Sequence, residues 1–304
     1  MFPLLALGAA FVAFLSADCS SHDSSSESNE SEPEVPRIPS NPPPEELPSS
    51  ISRPEPSETK PASPCPEGMV SIDRFCIDTY EDHLLVPGRD WPANERPPFD
   101  QFYWAESRRD VYPQAYISRE ESEEACRRSA KRLCTLSEWL QACRGAEKFI
   151  YPYGNVEEKG RCNNWKPHLL MKLFGDVDPM SWGYESHFNN PILDVTPGFL
   201  AKAGEYAACL SPYHVYDMVG NLHEWVSDTV DSSLPNKIVL YENLLEKLPI
   251  NNGHGIFMGG FFSTSNEHGL GCGFITIGHE PAYHDYSTGF RCCADAFNSG
   301  EKKL

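Results

Sequence analysis

Tyr213-His214-Val215-Tyr216-Asp217-Met218-Val219-Gly220-Asn221-Leu222-His223-Glu224-Trp225-Val226-Ser227-Asp228 is the stretch from which the rest of the chain can be read. Gly220-Asn221 is a turn signal. Asp217 and Glu224 straddle it. Such a turn lets two carboxylates and the intervening backbone carbonyls converge on one point. Hard oxygen donors of that kind suit Ca²⁺. A tight turn carrying solvated acids has the same spacing, so both readings stand until the flanking chain is considered.

The chain has 304 residues, enough for one large domain with a tail or for two modest domains. Residues 1–17 are apolar and uncharged, too short to span a bilayer as a helix. With the residue that follows they read as a signal peptide, 1–18, although the usual basic flank is missing. There are eleven cysteines, and an odd count in an exported chain marks one special thiol. Cys19 alone lies outside the domain-like region, which makes it the candidate for lipid acylation. Leu15 stands four positions before it and Asp18 sits where a small residue is usual, so free secretion after cleavage near Ala17 is the alternative. The ten other cysteines suffice for disulfides in an oxidising compartment. The expected location is therefore outside the cytoplasm, as a cell-envelope lipoprotein or a secreted protein.

Residues 20–64 hold 13 Ser, 11 Pro and 8 Glu and almost nothing to bury. Together with Cys19 they are expected to form a disordered tether over 19–64. The domain is expected over 65–297, with a tail at 298–304. From Cys65 onward the chain carries 34 acidic and 22 basic residues. An excess of that sign excludes nucleic-acid binding by phosphate neutralisation. After residue 17 no apolar run is long enough for a transmembrane helix, so membrane association is expected only through the lipid.

Within the domain, Val70 and Ile72 alternate, then Phe75 and Ile77, with a turn at Asp73-Arg74. This predicts a hairpin flanked by Cys65 and Cys76, which are expected to pair. Ser118 with Glu121 is a capping box for a helix reaching about Ala130. Thr135 with Glu138 is a second, for a helix over 136–144 that ends at Gly145. A short helical piece is expected near 241–247, and Gly259-Gly260-Phe261-Phe262 is expected to open the last strand system. Trp91, Phe99, Phe102 and Trp104 read as satellite packing, with a ligand groove as the alternative.

These segments, taken in order, resemble the formylglycine-generating enzyme family, or sulfatase-modifying-factor domain. The matching pieces include Met69 through Asp78 with Tyr80-Glu81, Lys131-Arg132-Leu133-Cys134-Thr135-Leu136-Ser137-Glu138-Trp139, Tyr151-Pro152-Tyr153-Gly154, Asn163-Asn164-Trp165, Tyr216 through Trp225, Gly259-Gly260-Phe261 and Gly289-Phe290-Arg291-Cys292. The resemblance implies an α+β, C-type-lectin-like fold with little regular secondary structure, rich in disulfides and holding structural Ca²⁺. It implies pairs Cys126–Cys292 and Cys143–Cys272. Cys134 and Cys293 replace the Pro and the small residue usual at their positions in that family and are expected to pair with each other, which leaves Cys162 with Cys209. One Ca²⁺ would be held by Asp217, the Gly220 and Leu222 carbonyls and Glu224. A second would use Asn163 and the Asn164 carbonyl, with Asp176 or Asp178.

Catalytic members of that family oxidise a substrate cysteine to formylglycine with O₂, using two thiolates that hold Cu(I). Those positions fall near Thr264 and Gly269 here, and no cysteine lies between Gly260 and Cys272. Copper is therefore not expected. The resemblance then implies a non-catalytic domain for binding or scaffolding, with a protein, peptide or glycan ligand. The alternative is an oxidoreductase of the formylglycine-generating type. His268, His279 and His284, with Glu267, Glu280 and Asp285, read as polar rim residues or, less readily, a metal site. His223 reads as a packed, hydrogen-bonded histidine.

Overall fold

The alternating residues around Asp73 form a hairpin of β1 (Met69–Ile72) and β2 (Phe75–Asp78), with Asp73 at φ 50° in the turn. In this computed structural model residues 63–175, 181–238 and 251–297 are described. The apolar N-terminal segment, Cys19, nearly all of the tether, Asp176, Asp178, the piece expected at 241–247 and the C-terminal tail lie outside them.

Next come β3 (Asp82–Val86), β4 (Arg89–Asp90) and β5 (Trp104–Ser107), which pair in the order β4-β3-β5. Helix α1 (Arg119–Arg128) starts where the sequence places it: Ser118 Oγ accepts from the Glu121 N–H at 3.2 Å, and the Ser118 N–H donates to Glu121 Oε2 at 2.9 Å. After β6 (Arg132–Leu133), α2 (Leu136–Arg144) repeats the device with Thr135 and Glu138 and stops at Gly145, whose φ is 67°. Its inner face buries Leu136, Trp139, Leu140, Ala142 and Cys143. Helix α3 (Leu169–Phe174) follows.

The quoted stretch runs into β7 (His223–Thr229). β8 (Gly255–Met258) and β9 (Ile275–His279) pair antiparallel beside it, and β10 (Thr288–Phe290) pairs parallel on its other side. The last strand, β11 (Cys292–Asp295), crosses to the first sheet, giving the order β1-β2-β11-β6. β2 is thus an inner strand, and all four of its residues are buried rather than alternating. Gly259-Gly260 does not open a strand. It ends β8, and both glycines have positive φ (83° and 75°), which breaks the ladder.

Disulfides join Cys65–Cys76, Cys126–Cys292, Cys134–Cys293, Cys143–Cys272 and Cys162–Cys209. Two of them fix α1 and the residue after β6 to the start of β11, and one ties α2 to the turn before β9. With strands of two to seven residues, these covalent ties replace much of what long sheets would supply. No helix among the described residues is long and apolar enough to cross a membrane.

Candidate functional site

The turn before β7 is built from backbone conformations that only particular residues tolerate. Asp217, Gly220 and Asn221 have φ of 58°, 81° and 60°. At Gly220 a Cβ would stand 2.3 Å from the Asn163 carbonyl oxygen, so glycine is required for space as well as conformation. The Asn221 N–H donates to that same carbonyl at 2.8 Å, which pins the segment to the 162–165 loop.

Beneath this turn lies a buried charge cluster. Glu81, Asp217, Glu224 and Arg291 are all at most 3 % exposed. Arg291 donates to both Glu224 oxygens (2.7 and 2.9 Å) and to the carbonyls of Asp78 and Tyr216 (2.9 and 2.8 Å). Trp139 Nε1 donates to Glu224 Oε2 at 2.7 Å. Asp217 Oδ2 accepts from the Gly204 N–H at 2.6 Å. Glu81 accepts from the Leu222 N–H at 3.1 Å and from Asn221 Nδ2. Three carboxyls thus face one guanidinium. Burial pushes Glu81 well above the usual carboxylate range, and the charges of Asp217 and Glu224 add to it. Burial pushes Asp217 up to about 7, against the Gly204 N–H and Arg291. A divalent cation would supply the missing positive charge, and the donor set is all oxygen. The set expected for Ca²⁺, Asp217 and Glu224 with the Gly220 and Leu222 carbonyls, offers the oxygen donors that ion takes, and in this structure Glu224 is engaged by Arg291 and Trp139.

The Asn163 region differs. Asn163 is buried and its Oδ1 has no hydrogen-bond partner. Its Nδ2 donates to the Phe199 carbonyl at 2.9 Å, which Lys166 Nζ also reaches at 2.7 Å. Burial lowers Lys166 to about 8. Here the protein places a cation of its own beside the asparagine, and the acids expected to complete this site are outside the described residues. A further group, Asp78, Asp82 and Cys292, has ligand-type atoms within 4.8 Å of one another. Cys292 is in a disulfide and Asp78 is held by Lys131 Nζ at 2.7 Å, so this is an ion-pair cluster.

A cavity of about 450 Å³ opens on the other side of β7–β9. Its walls are largely aromatic, including Trp182, Phe188, Phe257, Phe261, Phe274 and Tyr283. His168, His223, His268 and His279 also line it. His223 is buried between Phe257, Phe261 and Phe274, with ring centroids at 4.6, 5.2 and 5.6 Å. Its Nδ1 has no hydrogen-bond partner, contrary to the sequence expectation, because its neighbours are phenyl rings. His284 leaves the group: its Nδ1 is 2.7 Å from Asn189 Oδ1. Glu280 is exposed, and Asp285 is held by Tyr283 and Ser287.

Thr264 and Gly269 lie in the loop beside this cavity. Thr264 is buried and its Oγ1 donates to the Phe261 carbonyl at 2.8 Å. Gly269 has φ 129°, and a Cβ there would meet the Gly273 carbonyl oxygen at 2.4 Å. All ten described cysteines are in disulfides. A Cu(I) dithiolate does not fit these residues.

A larger hollow, about 640 Å³, lies among residues 90–94, 110–112 and 194–202, with Trp91 and the buried Asp194 in its wall. Phe99 and Phe102 do not pack as satellites. They are exposed, and the Arg128 guanidinium stands over Phe102 at 4.9 Å.

The fold and both sites define a disulfide-rich α+β domain of the formylglycine-generating type. The chain belongs to the family of sulfatase-modifying factor enzyme 1-like domains, whose model matches residues 57–296. It is 27% identical over 149 residues to the formylglycine-generating enzyme of Mus musculus, covering 48% of this chain and 33% of that protein. It is 29% identical over 117 residues to the inactive C-alpha-formylglycine-generating enzyme 2 of Bos taurus, covering 38% and 33%. The chain thus spans about a third of the length of these curated relatives. Among solved structures it is similar to PvdO from Pseudomonas aeruginosa, with TM-score 0.39, 15% identity and coverage of 73% and 80%. CarF gives TM-score 0.38, 15% identity and coverage of 73% and 86%.

Neither Glu81 nor Arg291 was given a role from sequence, because their partners are far away in the chain. Glu81 bonds residues about 140 positions on. The signal was present in Tyr80-Glu81 and Gly289-Phe290-Arg291, but only as matches without a stated contact.

Proposed function

We propose that this protein is a binding member of its family, exported and held to the envelope through Cys19, whose domain does not convert cysteine to formylglycine. The observation that carries this is the loop at Thr264 and Gly269. One position is filled by a self-bonded threonine and the other has no room for a side chain. The adjoining aromatic cavity has the features of a ligand pocket: apolar walls and a few polar atoms without partners, among them His168 Nδ1, His223 Nδ1 and Trp182 Nε1. A peptide or glycan segment presenting an apolar or ring face suits such walls. Five disulfides support an oxidising compartment. Ca²⁺ at Asp217, Gly220, Leu222 and Glu224 would be structural, neutralising the buried carboxylates.

The test is Cu(I) titration with O₂ consumption on a cysteine-containing sulfatase peptide. We expect neither stoichiometric copper binding nor turnover. Turnover with one equivalent of copper would overturn the proposal in favour of the oxidoreductase.

A further inference from the structure

We propose that the Lys166 ammonium takes the structural place of the second Ca²⁺ that the family resemblance implies at Asn163 and the Asn164 carbonyl, so that the domain holds at most one calcium ion, at the turn before β7. The loop that carries these residues is fixed by its backbone. The Trp165 N–H donates to the Thr264 carbonyl at 3.0 Å and the Lys166 N–H to the Phe262 carbonyl at 2.9 Å. The Asn163 carbonyl accepts from the Asn221 N–H at 2.8 Å. From this anchored backbone the Lys166 side chain reaches the 199–201 segment, where Nζ donates to the Phe199 carbonyl at 2.7 Å. Asn163 Nδ2 donates to the same oxygen at 2.9 Å. A carbonyl oxygen has two lone pairs, and here both are taken by donors.

The orientation of Asn163 is locked by a relay of amides. Asn221 Nδ2 donates to Glu81 and to the Ala201 carbonyl, two acceptors that fix which end of Asn221 is nitrogen. Asn221 Oδ1 then accepts from the Ala201 N–H at 3.0 Å and from Asn163 Nδ2 at 2.7 Å. Turning the Asn163 amide round would set its oxygen against two others, Asn221 Oδ1 and the Phe199 carbonyl. Asn163 therefore offers the Phe199 carbonyl a donor, as a residue beside a resident cation does, rather than sharing a metal with it. Its Oδ1 is buried without a partner. Of the described donors expected for the ion, this leaves one amide oxygen and one backbone carbonyl. Both are neutral, whereas Ca²⁺ takes roughly six to eight oxygens, carboxylates prominent among them. A lysine supplies its positive charge covalently. The tie between the 162–166 loop and the 199–201 segment, and through Asn221 to Glu81 in the charge cluster, is thus independent of calcium concentration.

The test uses the full chain, disulfides intact and stripped with chelator, at pH 7. Calcium is counted by equilibrium dialysis and native mass spectrometry at millimolar Ca²⁺, a readout that needs no variant to fold. We expect at most one equivalent in the wild type, and Glu224→Gln, which removes a carboxylate of the turn before β7, to weaken or abolish it. Lys166→Met keeps the apolar stem and removes the ammonium. Losing one charge-assisted hydrogen bond should lower its melting temperature by about 3–12 °C. That loss should be the same in chelator and in millimolar Ca²⁺, because the cation removed is not calcium. Two equivalents in the wild type, an equivalent held with undiminished affinity in Glu224→Gln, or a melting temperature unchanged by Lys166→Met would each overturn the proposal. None of these measurements bears on copper turnover, which tests the binding function separately.

Discussion

Arg291→Met is the sharpest perturbation of this fold. Methionine keeps the apolar stem but removes the guanidinium. Four hydrogen bonds go with it: two to Glu224 (2.7 and 2.9 Å), one to the Asp78 carbonyl (2.9 Å) and one to the Tyr216 carbonyl (2.8 Å). Glu224 is left buried with only Trp139 Nε1 as a donor, beside Glu81 and Asp217. Breaking a buried ion pair from one side costs about 3–5 kcal/mol, chiefly because the remaining charge is stranded. For a domain of this size that corresponds to a fall in melting temperature of roughly 6–20 °C. Urea unfolding with disulfides intact and Ca²⁺ held constant measures the loss directly. Glu224→Gln in the Arg291→Met background removes the stranded charge and should recover about half of it. A loss below about 1 kcal/mol for Arg291→Met would refute the reasoning, since the cluster would then be relaxed or wet.

The other expectations concern metal, turn, cap and loop. Chelation should lower the melting temperature, by the equivalent of about 2.7 kcal/mol when free Ca²⁺ had been at 100 times Kd, and Asp217→Asn, which tolerates the left-handed backbone, should shrink that response; no response to chelator in the wild type would remove the Ca²⁺ assignment. Gly220→Ala should cost more than about 2 kcal/mol by denaturant titration, because the strained φ and the 2.3 Å approach to the Asn163 carbonyl act together. Thr135→Ala should cost about 1 kcal/mol, since it removes the hydroxyl that accepts from the Glu138 N–H; a neutral result would mean that Glu138, also bound by Arg132, holds the helix start alone. Thr264→Cys/Gly269→Cys should not gain copper-dependent O₂ consumption, because a Cβ at 269 collides with the Gly273 carbonyl; turnover in that variant would show that the loop adapts.

Local chemistry was legible in the chain and long-range chemistry was not. Both capping boxes are written within four residues, and the structure places the helix starts there. The β1–β2 hairpin was equally visible, but the complete burial of β2 was not, since it depends on β11 arriving from more than 200 residues away. The same limit explains the histidines. By sequence, His268, His279 and His284 form the group. In the structure the pairing of β9 through β8 to β7 brings His279 toward His223, while the turn before β10 sends His284 to Asn189. Phe99 and Phe102 read from sequence as satellite packing, yet the proline-rich loop that carries them leaves them exposed. Glu81 was legible only as part of a matching pair of residues, because its meaning depends on a turn 140 positions later.

The two faces of β7 separate what holds the domain from what it can do. Glu224 points to Arg291 and Trp139, in the charge cluster where the last strands, the second helix and the quoted turn meet. His223, one residue earlier, points the opposite way, into the aromatic cavity. Alternation along a strand makes this division automatic. It also lets the cavity side change while the fold stays. The loop after Gly260 is held by the Thr264 hydroxyl and by Cys143–Cys272. Thiolates can therefore be absent from that loop without loosening it, while His223, His268 and His279 line the cavity wall. A family whose structural ties sit on one side of a strand and whose reactive groups sit on the other is free to keep its architecture and exchange its chemistry.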